Sequence, residues 1–554
     1  MAAAGTGGRG SYRPAGRPHG SGQQRGHAGI QRRGQGRERG SAGRGAGQER
    51  RRASSESAGR RAQGGQEPSN GHQGGRRRRG PRRTGADARQ VALEVLTRVG
   101  RDGAFANLAL PPALDAAGLD SRDAALATAL TYGTLRLQGR YDAIIALCLD
   151  RPLEGLDDVV LDLLRLGAHQ LLGMRVPGHA AVSATVDLAR RSAGHGAAGL
   201  VNAVLRRISA KDLGQWLAVL REQAADEVTA LAQVESHPLW VVKDLRQALV
   251  AHGQPAEELA ALLAADNADP EVVLCARPGL IAPERLAKEA RLATGQEPTG
   301  GAVSPCAVIL AGGDPGRIRA VRDARAAVED EGSQLVALMA AQAPLEGRDE
   351  RWLDLCAGPG GKAALLGALA AQRGAHLVAN EITAHRADLV RSAVRALAPE
   401  VVEVRQDDGR VYGEQEPGRY DRVLVDAPCS GLGSLRRRPE SRWRRSRGDV
   451  TELAQLQREL LTSALRAVRR GGLVAYVTCS PHALETELVV RDVLRRQERE
   501  GLGVEVLHAG DAATRIAPRP PAGAEREMLQ LWPHLDGTDA MFCALLRVTS
   551  RADR

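Results

Sequence analysis

Aromatic residues are scarce in this sequence, and its cysteines form no pattern typical of a disulfide framework or a zinc site. Phe, Trp and Tyr make up 2% of the 554 residues. The seven cysteines include no Cys-x-x-Cys pair and no Cys/His cluster at zinc-binding spacing. We therefore expect no bound metal and a reducing compartment. The cysteines are Cys148, Cys275, Cys306, Cys356, Cys429, Cys479 and Cys543.

Long apolar runs are missing as well. The first residues, Met1 to Gly8, contain no apolar segment like that of a signal peptide, and no apolar run in the chain reaches about 18 residues. Neither a secreted protein nor a transmembrane helix is indicated. We predict a cytoplasmic protein with no membrane partner.

Positive charge is concentrated at the N-terminus. Residues 1–85 contain 20 Arg, no Lys and four Glu, a net charge of +16, whereas 57 basic and 62 acidic residues follow them. This Gly/Arg/Gln/Ser-rich segment cannot bury enough apolar surface to offset the entropy of ordering, so we predict a disordered Arg/Gly-rich tail. Such a tail could tether RNA or only keep the protein in solution. The remaining chain has to bind any nucleic acid through local patches.

Residues 86–212 have the apolar spacing of amphipathic helices. In the segment 160–171, for example, apolar residues recur every three or four positions. Gly and Pro residues separate such segments, among them Pro111 and Pro112. We predict an all-α domain here, followed at residues 213–324 by a connector and a small α/β segment.

Strand-like and helical segments alternate from residue 325 to residue 550. This alternation predicts a mostly parallel, doubly wound sheet, an α/β Rossmann-like fold. An acidic cluster just before Ser333 indicates the start of a helix. Ligands of such folds bind at the carboxyl ends of the strands. The predicted strands are 351–356, 376–381, 401–406, 422–426, 472–478 and 541–548, and the predicted helices include 363–371, 449–469 and 483–496.

A glycine-rich turn follows the first of these strands. Residues 354–362 read Asp-Leu-Cys-Ala-Gly-Pro-Gly-Gly-Lys, and a strand, a glycine turn and a helix in this order bring backbone N–H groups and a helix N-terminus against a ligand. The segment lacks the glycine spacing and the Ser or Thr of a Walker loop. A nicotinamide-dinucleotide enzyme would fit this turn, taken alone, almost as well.

Acidic residues end the next strands. Glu381 is placed for the hydroxyls of a ribose, because it lies about one strand and one helix beyond the glycine turn. The third strand ends in Asp407 and Asp408, and either carboxylate could accept a hydrogen bond from an adenine amino group. Asp426 ends the fourth strand.

Two cysteines follow adjacent predicted strands, Cys429 after Asp426-Ala-Pro and Cys479 between Thr and Ser. Buried cysteines are usually inert, but the sheet topology should bring these two beside one pocket. A thiolate that adds to C6 of cytosine makes C5 nucleophilic towards a methyl sulfonium, and the carboxyl group of Asp426 can hold or protonate N3. The residues alone leave the roles of the two cysteines exchangeable.

These segments resemble the signature motifs of the RsmB/Nop (Sun) family of RNA 5-methylcytosine methyltransferases, which use S-adenosylmethionine. The resemblance rests on residues 354–362, 426–431 and 478–480, and it spans about residues 325–550. The N-terminal helices, with the run Leu-Val-Asn-Ala-Val-Leu-Arg-Arg at 200–207, resemble the NusB-like RNA-binding domain. Together the two resemblances point to the small-subunit (16S) rRNA branch of the family.

The resemblance implies a role for individual residues. Cys479 would be the nucleophile, Cys429 would assist product release, and Asp426 would complete the catalytic set. The family's Asp-Gly pairing favours Asp408 over Asp407. The implied S-adenosylmethionine site consists of Cys356, Ala357, Gly358, Pro359, Gly360, Gly361, Lys362, Glu381, Asp408 and Asp426. The arginine-rich loop at the pocket mouth would contact RNA phosphates and bases, rather than being a solvated loop, through Arg436, Arg437, Arg438, Arg442 and Trp443.

The implied partner is RNA, namely 16S rRNA that is either naked or in an early assembly particle, and we expect a monomer. A tRNA methyltransferase with the same chemistry is the alternative enzyme. An RNA-binding assembly factor with a vestigial catalytic fold is the alternative from another class. Departures from the family pattern, such as Glu485-Thr486-Glu487 where Glu-Asn-Glu is usual, leave every bond-making group present.

Overall fold

The computed structural model describes residues 87–551. The tail predicted to be disordered, residues 1–85, lies outside the described residues. Within the described part, no helix is both long and apolar enough to span a membrane.

The N-terminal helical region is built from seven helices around one apolar core. Their apolar faces meet, and Leu130, Leu163 and Val201 are fully buried between them. Asp87 begins the first helix by accepting a hydrogen bond from the amide of Arg89. The helices are α1 (Ala88–Arg101), α2 (Ala106–Ala117), α3 (Ser121–Arg136), α4 (Gln138–Leu147), α5 (Asp158–Leu172), α6 (Gly178–Ser192) and α7 (Gly194–Ile208).

Pro111 and Pro112 differ from the prediction, because they lie inside α2 instead of separating two helices. Each proline lacks an amide N–H, so the helix gives up two potential hydrogen bonds there. The chain ends α2 only at Gly118, which adopts a left-handed conformation.

Four further helices connect this bundle to the rest of the chain. Trp216 of the first closes the bundle core, whereas the last two share a second core with Leu432, Leu435 and Trp532 of the C-terminal region. The N-terminal and C-terminal regions are therefore joined by apolar packing. The connecting helices are α8 (Leu213–Gln223), α9 (Glu227–Val234), α10 (Leu239–Ala251) and α11 (Leu259–Asp266).

A small antiparallel sheet with strand order β2-β3-β1-β4 follows. Arg277 directly follows the first strand of this sheet. It donates hydrogen bonds to the carbonyls of Ala324 and Ala393 and so connects the small sheet to the C-terminal region. The elements are β1 (Val272–Ala276), α12 (Pro283–Thr294), β2 (Thr299–Gly300), β3 (Ala307–Leu310), α13 (Arg319–Arg322) and β4 (Ala326–Val328).

The C-terminal region is an eight-stranded mixed sheet between helices, with the order β10-β12-β9-β8-β5-β6-β7 and β11 paired to β12. The five strands from β9 to β7 are parallel, whereas β12 is antiparallel to both of its neighbours, β9 and β10, so that β10 runs in the same direction as the five. The elements are α14 (Glu331–Gln342), β5 (Arg351–Asp354), α15 (Gly361–Arg373), β6 (His376–Asn380), α16 (Ala384–Val394), β7 (Val402–Arg405), α17 (Tyr412–Gln415), β8 (Tyr420–Asp426), α18 (Ser441–Arg444), α19 (Arg447–Ala467), β9 (Val468–Thr478), α20 (Glu487–Arg499), β10 (Leu502–Leu507), α21 (Ala509–Ile516), β11 (Leu529–Gln530), α22 (Pro533–Asp536) and β12 (Phe542–Arg551).

This topology confirms the predicted α/β fold and adds one edge strand that the sequence prediction omitted. That strand, β10, lies at the end of the sheet and is largely half-exposed, although the alternation of Leu502, Val504 and Val506 with Gly503 and Glu505 was an available strand signal. The strand order reverses between β5 and β8, and the ends of these strands are where a doubly wound sheet opens a ligand crevice. The glycine turn and Asp426 both lie there.

Candidate active site

The glycine-rich turn connects β5 to α15 and has a conformation that only glycine adopts readily. Gly360 has a φ of 113°, in the left-handed half of the map where side chains are strained. A Cβ atom at Gly360 would lie 2.7 Å from the Cβ of Ala393, on the helix beside the turn. The turn therefore packs tightly against α16 and leaves its opposite side to a ligand.

Glu381 supports this turn from the end of the neighbouring strand. Its carboxylate accepts hydrogen bonds from the amides of Gly358, at 3.2 Å, and Thr383, at 3.0 Å. Arg386 lies 3.4 Å from the same carboxylate and donates to the carbonyl of Gly358. Glu381 is thus brought to the turn as predicted and is already oriented by backbone contacts.

Asn380, immediately before Glu381, joins three strand ends and was not singled out from the sequence. Its side-chain amide donates to the carbonyls of Leu355, at 3.1 Å, and Asp407, at 3.0 Å, and its oxygen accepts from the amide of Asp407. The side chain is 1% exposed. A polar residue at the end of an apolar strand was the available signal.

Asp408 lies at the end of β7 and is held by Arg410. The guanidinium of Arg410 donates to Oδ2 of Asp408 at 2.6 Å and to Oδ1 at 3.0 Å, and these hydrogen bonds lower the pKa of Asp408. Asp407 is exposed. The structure therefore presents Asp408 as an ionised carboxylate at the rim, and a ligand amino group would have to compete with Arg410 for it.

Lys362 lies between the turn and the end of β8. Its ammonium group donates to Asp426, at 2.9 Å, and to the hydroxyl of Ser333, at 3.1 Å. Burial alone would lower the pKa of Lys362, but the carboxylates of Asp426 and Glu329 raise it above its ordinary value. Burial raises the pKa of Glu329 to about 7. Ser333 and Glu329 complete this polar cluster and were not predicted.

Asp354, at the base of the turn, is a buried acid without a settled partner. Neither of its oxygens is in hydrogen-bonding geometry with another described residue, although the amide of Cys356 lies close by. Burial, followed by the nearby Asp426, raises the pKa of Asp354 to about 8. An orphaned buried acid at this point can receive a polar group of a ligand or an ordered water.

The two cysteines end adjacent parallel strands and face one another. Asp426 of β8 is paired with Val477 of β9, so the loops after these strands run side by side. The sulfur atoms of Cys429 and Cys479 are 3.3 Å apart. The prediction that one pocket receives both cysteines therefore agrees with the geometry.

The cysteines differ in their electrostatic surroundings. A hydrogen bond from Cys429, aided by Lys362 and Arg438, lowers the pKa of Cys479 although burial and Asp426 oppose this. The same hydrogen bond, followed by burial, raises the pKa of Cys429. Either sulfur can donate in the contact between them, so the difference rests on charged neighbours: Lys362 and Arg438 lower the pKa of Cys479, whereas Glu485 raises that of Cys429.

The loop that carries Cys479 is held by helix α10 of the connector. His482 lies 3.3 Å from Asp244, and Arg447 donates to the other oxygen of Asp244 at 2.6 Å. Since Nδ1 of His482 accepts from the amide of Leu484, its Nε2 carries the proton that Asp244 accepts. A further ring, that of His252, donates to the carbonyl of Pro481 at 3.1 Å.

Three of the arginines predicted to contact RNA have internal partners instead. Arg436 and Arg437 form ion pairs with Asp330 and Asp539 at 2.7 to 3.1 Å. Arg442 is fully buried, as the largest such charged side chain. It donates to the carbonyls of Arg136, Ser236 and Asp266 and to the side chain of Asn267.

Arg438 and Trp443 remain on the surface of this loop. Trp443 is 37% exposed, and the guanidinium of Arg438 lies 5.8 Å from the ring centre of Phe105 on the N-terminal helical region. The expected RNA-contacting surface is thus reduced to these two side chains, because Arg436 and Arg437 form ion pairs within the C-terminal region and Arg442 joins this loop to the N-terminal helices.

Two family models match separate parts of the sequence. The model described as 16S rRNA methyltransferase RsmB/F matches residues 342–547, and that of the NusB family matches residues 86–210.

Relatives match this chain over nearly their whole length. The ribosomal RNA small subunit methyltransferase B of Pseudomonas putida is 33% identical over 467 residues, which are 83% of this chain and 98% of that protein. A putative methyltransferase of Mycobacterium tuberculosis is 48% identical over 473 residues, 85% of this chain and 99% of the relative. The crystal structure of the protein PH0851 superposes with a TM-score of 0.68 at 21% identity, covering 83% of this chain and 98% of that one, which shows the shared fold.

Proposed function

The chain belongs to the ribosomal RNA small subunit methyltransferase B (RsmB) family, and from this premise we propose that it methylates C5 of a cytosine in 16S rRNA through a covalent bond from Cys479 to C6. The observation that carries this proposal is the pair of sulfur atoms 3.3 Å apart beside the Lys362–Asp426 ion pair. A thiolate, a thiol and a carboxylate are the groups that this reaction needs in one place.

The residues of the glycine turn fit S-adenosylmethionine as the methyl donor. A Cβ at Gly358 would lie 2.3 Å from the carboxylate of Glu381, so this glycine lets the backbone and an acid meet where a ribose would bind. The orphaned oxygens of Asp354 suit the donor's amino group. When bound, this cofactor supplies an electrophilic methyl group on a sulfonium.

Cys479 makes the first bond of the proposed reaction. Its thiolate adds to C6 of the cytosine, and the electron pair of the C5–C6 double bond is delocalised towards N3, where Asp426 holds or supplies a proton. Lys362 keeps Asp426 oriented through its 2.9 Å ion pair. C5 then becomes nucleophilic enough to take the methyl group.

Product release reverses the addition. C5 loses its proton to solvent, the electron pair of that C–H bond restores the C5–C6 double bond, Cys479 leaves as a thiolate, and N3 returns its proton to Asp426. The thiol of Cys429, at 3.3 Å, stabilises this leaving thiolate by a hydrogen bond. Cys429 is thereby given the release role that the family resemblance implies.

The RNA has to present an unpaired cytosine rotated out of its stack. Trp443 and Phe105 offer aromatic surface at the border of the two halves, and the guanidinium groups of Arg438 and Arg444 lie 5.8 and 4.9 Å from the ring centre of Phe105. We propose this surface as the contact for nucleotides that flank the target. An rRNA substrate would place the protein in the cytoplasm.

Bisulfite sequencing of total RNA from a deletion strain and its parent tests the proposal. We expect one protected cytosine to be lost from small-subunit rRNA and to be restored by the wild-type gene but not by the variant Cys479→Ala. Loss of protection only in tRNA would keep the chemistry and reject the substrate. If every protected cytosine remained, the alternative of a non-catalytic RNA-binding factor would replace this proposal.

A further inference from the structure

Glu485 is a buried carboxylate that joins the two cysteine loops. It is 0% exposed and lies six residues after Cys479. One oxygen accepts from the amide of Ser430 at 2.7 Å, and the other accepts from the hydroxyls of Ser430, at 2.5 Å, and Ser480, at 2.6 Å. These two serines directly follow the two cysteines in the chain.

The network continues behind the loops. Gln457 of α19 donates to the carbonyl of Pro428 at 2.8 Å and to Glu485 at 3.3 Å. The hydroxyl of Tyr476 donates to the backbone carbonyl of Glu485 at 2.8 Å. The position of Glu485 is therefore fixed by β9 and α19, which are rigid elements of the sheet and its cover.

We infer that Glu485 is a positioning residue that sets the spacing of the two cysteine sulfurs and, through its charge, keeps Cys429 as the thiol and Cys479 as the thiolate. This inference rests on the proposed function, because it assigns a use to the distinction between the cysteines. A carboxylate can accept from several donors at once without donating in return, so this side chain can hold both loops through its four donors.

The electrostatic part of the inference agrees with the local pKa directions. The hydrogen bond to Cys479 raises the pKa of Cys429 most, followed by burial, by the charge of Cys479 and by the carboxylate of Glu485. The groups that face Cys479 are different: Cys429, Lys362 and Arg438 lower its pKa, while burial and Asp426 raise it. Removal of the charge on Glu485 should therefore lower the pKa of Cys429 and reduce the difference between the pKa values of the two cysteines.

Two substitutions separate the charge of Glu485 from its hydrogen bonds. In Glu485→Gln the serine hydroxyls can rotate to accept from the new amide, so both loops stay attached but the charge is gone. In Glu485→Ala both the attachment and the charge are lost. Asp536→Asn serves as the matched control, because Asp536 is another buried carboxylate that accepts from two backbone amides, those of Ala522 and Trp532.

The experiment measures alkylation of each cysteine in the full chain by iodoacetamide as a function of pH, with the modified peptides quantified by mass spectrometry. In the wild type Cys479 should react at lower pH than Cys429. Glu485→Gln should reduce the ratio of the two rates near neutral pH by roughly tenfold, because the rates follow the thiolate fractions. Glu485→Ala should in addition make both cysteines react faster, whereas Asp536→Asn should leave the ratio unchanged.

A wild-type ratio in Glu485→Gln would overturn the charge role, and wild-type behaviour of both Glu485 variants would overturn the inference as a whole. Since alkylation needs neither RNA nor donor, it is independent of the proposed function. An altered ratio in a protein that methylates no RNA would reject the function and keep the inference. If the wild type methylated RNA normally but the Glu485 variants kept the wild-type ratio of alkylation rates, the proposed function would stand and the inference would be rejected.

Discussion

The donor side and the cysteine side of the proposed site are supported in different ways. On the donor side, residues close in sequence support one another: Glu381 accepts from the turn at Gly358, and Asn380 joins the ends of three strands. On the cysteine side, support comes from remote parts of the chain. Asp244 of α10 holds His482, more than two hundred residues away, next to the loop that carries Cys479.

This difference has a consequence for the role of the N-terminal half. A donor site can be formed by consecutive strand–turn–helix units of one α/β region. The proposed nucleophile, Cys479, in contrast, lies on a loop held by the connector through Asp244, and the neighbouring loop that follows Cys429 reaches the N-terminal helices through Arg442. The N-terminal half therefore contributes to the architecture of the catalytic centre, and the two sides should respond separately to substitution.

The largest expected effect comes from the cysteine side itself. Cys479→Ala removes the group proposed to form the covalent bond, so methylation of 16S rRNA should fall by about a thousandfold or more. Donor binding, measured by calorimetry with S-adenosylhomocysteine, should stay within about threefold of wild type. Weak donor binding in Cys479→Ala would contradict the separation of the two sides.

The reciprocal change is made in the glycine turn. Gly360→Ala places a methyl group where φ is 113° and 2.7 Å from the Cβ of Ala393, so the turn should shift and donor affinity should fall by roughly tenfold or more. The pH dependence of Cys479 alkylation should remain that of wild type. A changed alkylation profile would show that the turn also supports the cysteine loops. Gly374→Ala, in a turn with open space around it, controls for the general effect of a Gly substitution.

The hydrogen bond between the cysteines predicts a pH shift with a definite sign. Because Cys429 lowers the pKa of Cys479, the thiolate persists to lower pH in the wild type and its reactivity falls only as the pH drops through that value. Cys429→Ala removes the hydrogen bond, so the alkylation curve of Cys479 should move to higher pH. The measurement is iodoacetamide labelling across pH, and an unmoved curve would argue against Cys429 as the donor.

The contacts that Asp244 of α10 makes beside the Cys479 loop should have a moderate effect on the reaction rate. Asp244→Asn weakens the contacts with His482 and Arg447, and kcat should fall by roughly threefold to tenfold because the nucleophile is less well positioned. Donor affinity should not change. The matched control is Asp187→Asn, which breaks an exposed ion pair with Arg190 in the N-terminal region. Equal losses of kcat in both variants would show that Asp244 does not specifically position the loop that carries Cys479.

The smallest effects are expected at the RNA-contacting surface. Arg438→Ala and Trp443→Ala should each raise KM for rRNA about threefold while kcat stays the same, because each removes one stacking or phosphate contact at the border. Arg442→Ala, in contrast, should destabilise the fold by on the order of 3 kcal/mol, because it leaves buried carbonyls of Arg136, Ser236 and Asp266 without their donor. Thermal unfolding distinguishes variants that weaken RNA binding from the variant that weakens the fold. If Arg442→Ala were as stable as wild type but bound RNA poorly, Arg442 would be an RNA contact and not a structural residue.

The sequence predicted the donor side better than the cysteine side, for a physical reason. The glycine turn, Glu381 and the end of β8 follow from strand periodicity and local turn chemistry, and the adjacency of Cys429 and Cys479 follows from the order of parallel strands. The burial of Arg442 depends on carbonyls that are distant in sequence. A charged side chain in an arginine-rich loop looks exposed until those partners are known.

The most direct test of the account is to identify the atom of the protein that bonds to the target cytosine. The full chain would be incubated with S-adenosylmethionine and small-subunit rRNA in which cytidine is replaced by 5-fluorocytidine, whose C5 carries fluorine that cannot leave as a proton. The account predicts a covalent RNA–protein complex whose modified peptide contains Cys479. A bond at Cys429, or efficient methylation of ordinary rRNA by Cys479→Ala, would contradict it.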